Sequence, residues 1–170
     1  MGKTEIVLDT SAVISLGCTG KFNLIGRIFN FNGPMRVKEE LEEISKTKDD
    51  IGKIAKDVLD NNVIAFHSLP ANLKNIKGEI EVMNLANELK AEAIVMDDIQ
   101  YMKKLEKKTN IPIWFSSFVI YSLFEQKLIT YKEGWSAIEN MKTKRKWEEN
   151  LIIESAKILF ENVAKEKNKY

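Results

Sequence analysis

The apolar positions of the chain fall into two patterns. Short unbroken runs (EIVL at 5–8, VIAF at 63–66, AIVM at 93–96 and IPIWF at 111–115) read as strands, the first and third of them buried. Between them apolar residues recur at spacings of three and four, which predicts helices. The first helix follows at once on EIVL, capped by Thr10 or Ser11, and runs through Ser15. Gly17, Gly20 and Gly26 then break the pattern. Asn32, Gly33 and Pro34 read as a turn. A helix over 35–46 carries Val37, Leu41 and Ile44. The next, over 50–59, carries Ile51, Ile54, Ala55, Val58 and Leu59 and ends at Asn61-Asn62. A helix from Gly78 to Lys90 has Val82, Leu85, Ala86 and Leu89 on one face. Further helices are expected over 99–108, from Ser116 or Ser117 to Gln126, over 131–141 and over 147–166.

Strands alternating with helices as far as residue 126 imply an α/β fold, a parallel sheet flanked by helices. The remainder, 127–170, is helical throughout. Its last helix carries the stripe Ile152, Ile153, Ala156, Leu159, Phe160 and Val163, which must bury against the same domain or another subunit. A chain of 170 residues is one domain with an elaboration. The expected division is a domain over 1–126 and a helical C-terminal extension over 127–170, packed on that domain or on a partner. Folding at this size buries about 70% of the surface, so no disulfide or structural metal is needed for stability.

Composition removes several chemistries. Cys18 and His67 are single, which argues against a disulfide, a Cys-rich zinc site and a histidine-based triad. Cys18 is expected to pack near the first helix, and His67 to make a structural hydrogen bond near a strand end. The net charge of +1 sets up no global positive field, and the basic residues are 23 Lys and 3 Arg. No apolar run reaches membrane-spanning length. Glu5 and Asp9 interrupt the segment where a signal peptide needs its apolar core, so a cytoplasmic protein is expected.

The candidate chemistry is carboxylate chemistry. Open α/β sheets bind ligands at the carboxyl ends of their strands. Asp9 ends the first strand, and Asp97-Asp98 end the third run. A lone acid there serves equally well as a helix N-cap. In the pair, one residue can cap and the other is left over. Two adjacent strands ending in acid bring like charges together, which costs free energy unless a proton or cation intervenes. A hard cation with oxygen ligands, Mg²⁺ or Mn²⁺, suits such a set. Glu40 flanks the apolar stripe of its helix and can point inward, whereas Glu39 and Glu43 lie in the next row. Glu79 and Glu81 lie on opposite sides of theirs, and geometry alone does not choose between them. For each glutamate a solvated helix face is the plain alternative.

Four blocks in order resemble the PIN-domain nucleases, over about residues 4–126: Asp9-Thr10-Ser11 after an apolar strand, Val37-Lys38-Glu39-Glu40-Leu41, Gly78-Glu79-Ile80-Glu81 with Leu85-Ala86, and Val95-Met96-Asp97-Asp98. The third block is similar to the GEAEA-type block of bacterial and archaeal members, toxin-like or RNA-processing. The resemblance implies a PIN-like (Rossmann-like) fold and a ribonuclease dependent on Mg²⁺ or Mn²⁺, with Asp9, Glu40, Glu79 and Asp98 around the metal. Asp97 and Glu81 are the auxiliary or alternate acids, and Thr10 or Ser11 orients the cluster. Where many members have Thr two residues before the fourth acid, this chain has Met96. RNA is the implied substrate; an antitoxin protein and a homo-dimer are the implied partners. Lys103, Lys104, Lys107 and Lys108 follow the fourth block and are candidate backbone contacts. Lys142, Lys144, Arg145 and Lys146 beside Trp147 form the densest basic cluster, with an aromatic available for stacking. Solubility is the alternative role for both runs. The competing function is a PIN-like scaffold that binds RNA or protein without catalysis. A phosphatase using Asp9 as nucleophile fits less well, because Ser11 stands where its second aspartate is needed.

Overall fold

The computed structural model describes the backbone of residues 2–68 and 78–167 and the side chains of 2–68 and 80–162. The elements in order are β1 (Thr4–Leu8), α1 (Thr10–Cys18), α2 (Phe22–Ile25), β2 (Phe29–Pro34), α3 (Met35–Ile44), α4 (Asp50–Asn61) and β3 (Ile64–His67). They continue with α5 (Gly78–Leu89), β4 (Ala93–Val95), α6 (Ile99–Leu105), β5 (Ile113–Trp114), α7 (Ser116–Glu125), α8 (Tyr131–Lys144) and α9 (Leu151–Lys167). All five strands are parallel, in the order β3-β2-β1-β4-β5.

Strand side chains alternate between the two faces of this sheet. Ile6, Leu8, Ala93 and Val95 join the larger core, with residues of α1, α3, α4, α7, α8 and α9. Val7 and Ile94 face the other way, onto Val82, Leu85 and Ala86 of α5 and Leu105 of α6. Both faces of β1 and β4 are therefore dry, which is why these strands read as continuous apolar runs. α1 lies close against α4 because Gly17 has no side chain. A Cβ there would come within 2.5 Å of the Ile54 side chain.

The structure corrects several details of the sequence reading. Asn32-Gly33-Pro34 is not a turn but the end of β2, paired with β1 and β3. The buried Asn32 amide is satisfied across the sheet: its Nδ2 donates to Glu5 Oε2 (2.7 Å) and its Oδ1 accepts from His67 Nε2 (2.8 Å). Three turn-forming residues thus serve as a strand because tertiary partners take up the polar group. The cap of α1 is Asp9 rather than Thr10 or Ser11, and α7 starts at Ser116 with no capping side chain of its own. α9 begins at Leu151 rather than Trp147, where Asn150 Oδ1 accepts from the backbone of Ile152 and Ile153. α8 is held by a capping box between Thr130 and Glu133.

Residues 127–162 share the main core. Ile152, Ile153, Ala156 and Phe160 of α9 are buried, and the Phe160 ring sits among Tyr121, Phe124, Tyr131 and Trp135. No helix among the described residues is long and apolar enough to cross a membrane.

Candidate active site

The chain runs from β1 to β2 and β3 on one side and returns to β4 and β5 on the other. The ends of β1 and β4 therefore flank the switch point, the place where open α/β sheets leave a crevice for ligands. The Asp9 N–H donates to Val95 O at 3.1 Å and ties the two strand ends together.

Asp9 is both a cap and a candidate ligand. Its Oδ1 accepts from Ala12 N–H (2.9 Å), and the Ser11 hydroxyl donates to Oδ1 (2.7 Å) and lies 2.9 Å from Oδ2. Burial nevertheless pushes the carboxyl up from 3.8 to about 7. The Ala12 and Ser11 bonds oppose this rise, while the charges of Asp97 and Asp98 add to it. Among the described residues no lysine or arginine pairs with Asp9. This half-buried carboxyl stands beside two others whose charges oppose its ionisation.

The two aspartates after β4 divide their roles. Asp97 is buried and turned toward α7: its Oδ1 accepts from Ser116 N–H (3.0 Å) and its Oδ2 from the Ser116 hydroxyl (2.6 Å). This supplies the cap that α7 lacks locally. Burial raises its carboxyl and the Ser116 hydroxyl most opposes that. The Asp97 N–H in turn donates to Ser11 Oγ at 2.9 Å, so Ser11 links the backbone of Asp97 to the carboxylate of Asp9. Asp98 caps α6 through Oδ1, which accepts from Gln100 N–H (3.0 Å) and Tyr101 N–H (3.1 Å). Its second oxygen takes no bond among the described residues.

Glu40 reaches the same crevice from α3. Its Oε2 accepts from the hydroxyl of Thr10, next to Asp9, and its Oε1 from Arg36 Nε at 2.8 Å. Glu81 of α5 lies within electrostatic reach of Arg36, Glu39 and Glu40; burial raises its carboxyl most and Arg36 opposes that. The Glu79 side chain lies outside the described residues. Asp9, Thr10, Arg36, Glu40, Tyr101 and Lys104 line one cavity of about 350 Å³. A larger cavity, about 870 Å³, opens over Glu5, Asn30 and Asn32, where the polar groups already satisfy one another. The candidate acids Asp9 and Glu40 line the smaller one.

Of the basic residues read as RNA contacts, Lys104 lines the acidic cavity, its Nζ 5.2 Å from the Tyr101 ring centroid. Lys103 and Lys107 are exposed outside that lining. Lys142 is held by Glu149 at 2.6 Å, and the Arg145 guanidinium lies over the Trp147 ring, 5.1 Å from its centroid. Lys144 and Lys146 are exposed. Arg36 and Tyr101 escaped the sequence reading. An arginine at the start of a helix, four residues before a candidate acid, was the available signal for the first; for the second it was only a tyrosine three residues after Asp98.

A family model described as a PIN domain matches residues 5–162. The chain belongs to the PIN-domain family, whose fold is of the nuclease type. The match includes α8 and most of α9, so helices beyond residue 126 lie within the family's extent. No curated protein matches the sequence.

A divalent ion is the cofactor associated with this family, and the donor atoms at the crevice are of the chemical type one takes. All are oxygens. The Asp9 carboxylate keeps acceptor capacity beyond its bonds to Ser11 and Ala12, and Asp98 keeps a whole oxygen. Among the described residues no three acids, histidines or cysteines stand ready as a metal-binding group.

Proposed function

We propose that the protein is a ribonuclease dependent on Mg²⁺ or Mn²⁺, hydrolysing RNA phosphodiester bonds at the crevice between β1 and β4. One observation supports this reading: Asp9 is half-buried at the switch point beside Asp97 and Asp98, with no described cation to balance it. That arrangement is costly unless a proton or a metal ion relieves it.

In this reading Asp9, Glu40, Glu79 and Asp98 hold the ion. The ion, when bound, lowers the pKa of a water and neutralises charge developing on the phosphoryl oxygens. Ser11 fixes the rotamer of Asp9 by donating to its carboxylate, and Thr10 does the same for Glu40. Glu40 orients the attacking water, and Glu81 adds negative charge at the rim. Asp97 acts as an auxiliary acid by holding Ser11 through its backbone and α7 through its side chain. The lysines of 103–107 and the basic residues of 142–146 provide positive charge for the RNA backbone. An antitoxin protein and a second copy of the chain are the partners expected of it; Leu151 and Ile158, exposed on α9, are apolar surface that supports such an assembly.

Melting the protein with and without Mn²⁺ and assaying Asp9→Asn for RNA cleavage test the proposal together. A metal-dependent rise in Tm, and cleavage lost in the variant, are expected. The second reading is a PIN-like scaffold that binds without cutting. It is favoured by the engagement of Glu40 with Arg36 and of Asp98 with α6. No rise in Tm and no effect of Asp9→Asn on cleavage would select it.

A further inference from the structure

One acid of the crevice is already paired within the chain. Arg36 stands in the first turn of α3, one helical turn before Glu40, and its Nε donates to Glu40 Oε1 at 2.8 Å. The other Glu40 oxygen, Oε2, accepts from the Thr10 hydroxyl. Both oxygens of this carboxylate are therefore engaged. The charge of Arg36 also reaches Glu81 on α5, where it opposes the repulsion of Glu39 and Glu40. Arg36 lines the same cavity as Asp9, Thr10 and Glu40. Among the described residues no three acids, histidines or cysteines gather as a metal-binding group, and the pairing of Glu40 with Arg36 is one reason. Helix physics does little for this pair. The arginine lies on the N-terminal side of the acid, the less favourable order at this spacing, and the side chains are 47% and 42% exposed. The contact is weak and exchangeable.

We propose that Arg36 is the resident counter-ion of the crevice: it holds Glu40 in the metal-free protein and releases it when a divalent ion binds. Arg36 is thus a positioning residue that sets the affinity of the site for metal. The inference rests on the metal-dependent reading and adds to it a regulation of the same acids. Arg36 lowers that affinity in two ways. It occupies a carboxylate oxygen that an ion needs, and its guanidinium repels a doubly charged ion. A unit charge about 6–7 Å from a divalent ion, in water-like surroundings at moderate salt, shifts its affinity about three- to tenfold. In return Arg36 neutralises part of the acid cluster, so the chain folds around it without an ion.

The test measures Mn²⁺ binding to the full chain by calorimetry, in the unaltered protein and in Arg36→Gln, Arg36→Lys and Lys38→Gln. Unchanged Tm in chelator confirms folding of each variant. Arg36→Gln is expected to bind Mn²⁺ about three- to tenfold more tightly, and Arg36→Lys to return close to the unaltered affinity. Lys38→Gln should change nothing, because that ammonium lies 3.9 Å from Glu42 and not on the cavity of Asp9 and Glu40. A second readout follows the contact itself. The arginines are Arg27, Arg36 and Arg145, few enough for their Nε–Hε NMR signals to be assigned by substitution. Mg²⁺ should shift the Arg36 signal, and Glu40→Gln should move it the same way without metal. Unaltered Mn²⁺ affinity in Arg36→Gln, an equal gain in Lys38→Gln, or an Arg36 signal indifferent to both Mg²⁺ and Glu40→Gln overturns the proposal. Metal-dependent RNA cleavage in the face of such a result leaves the nuclease reading standing. Tighter Mn²⁺ binding by Arg36→Gln, in a protein that cuts no RNA with any metal, removes the nuclease reading and leaves Arg36 in this role. Absence of Mn²⁺ binding in both the unaltered protein and Arg36→Gln overturns the two together.

Discussion

Asp9→Asn is expected to stabilise the metal-free protein at neutral pH. Burial raises the Asp9 carboxyl from 3.8 to about 7. Between those values the unfolded chain releases its proton while the folded protein keeps it. Stability therefore falls as pH rises from about 4 to about 7. At 1.36 kcal/mol per unit the full loss is at most about 4 kcal/mol. The asparagine carries no charge, keeps an oxygen for Ala12 N–H, and exchanges the Ser11 bond for a weaker one, which returns about 1 kcal/mol. A net gain of about 1–3 kcal/mol remains at pH 7.5, or roughly 3–10 °C in Tm for a chain of this size. Calorimetry in chelator at pH 7.5 and at pH 4 measures it, and the gap should close at the lower pH. Mn²⁺ at 100 times its Kd should close or reverse the gap, because it stabilises the parent protein by about 2.7 kcal/mol and the variant by little. A variant less stable than the parent at pH 7.5 without metal, or a gap independent of pH, refutes the reasoning.

Three further outcomes follow from the packing. Ser116→Ala leaves Asp97 Oδ2 buried without its 2.6 Å partner and should cost about 1–3 kcal/mol in urea unfolding. It should also depress cleavage, because Asp97 holds Ser11 and Ser11 holds Asp9. Gly134→Ala improves helix propensity by about 1 kcal/mol, yet its Cβ would stand 2.7 Å from the Phe160 ring, which four aromatic neighbours hold in place. Overpacking costs about 1–3 kcal/mol, so net destabilisation is expected and Tm should fall. Phe160→Ala should cost about 3–5 kcal/mol by chemical denaturation, with the whole protein unfolding in one transition; a separate early transition confined to the last two helices would contradict the shared core.

The legible part of the fold was the part whose residues are chosen by local surroundings. β1 and β4 have dry faces on both sides, so they are apolar without interruption and end at the first acid that solvent or ligand can reach. α3 and α4 show one buried face each at helical spacing. β2 was hidden because Asn, Gly and Pro, which favour turns, outnumber the two Phe in its sequence, FNFNGP. Pairing with β1 and β3 makes that segment a strand, and Glu5 and His67, 27 and 35 residues from Asn32, help satisfy its buried amide. The same distance rule divided the site. That Asp9, Asp97 and Asp98 end strands was readable. That Asp97 turns into α7 while Asp98 caps α6 depended on Ser116, 19 residues further on.

Sequence by itself determined the alternation of strand and helix and the acids at two strand ends, since each follows from periodicity or residue order. Tertiary structure alone decided the strand order, the sharing of one cavity by Glu40, Arg36 and Lys104, and the burial that lifts the Asp9 carboxyl to about 7. These depend on groups far apart in the chain meeting across a sheet. Coulomb and desolvation energies answer to distance in space and exclusion of water, and neither is written in residue order.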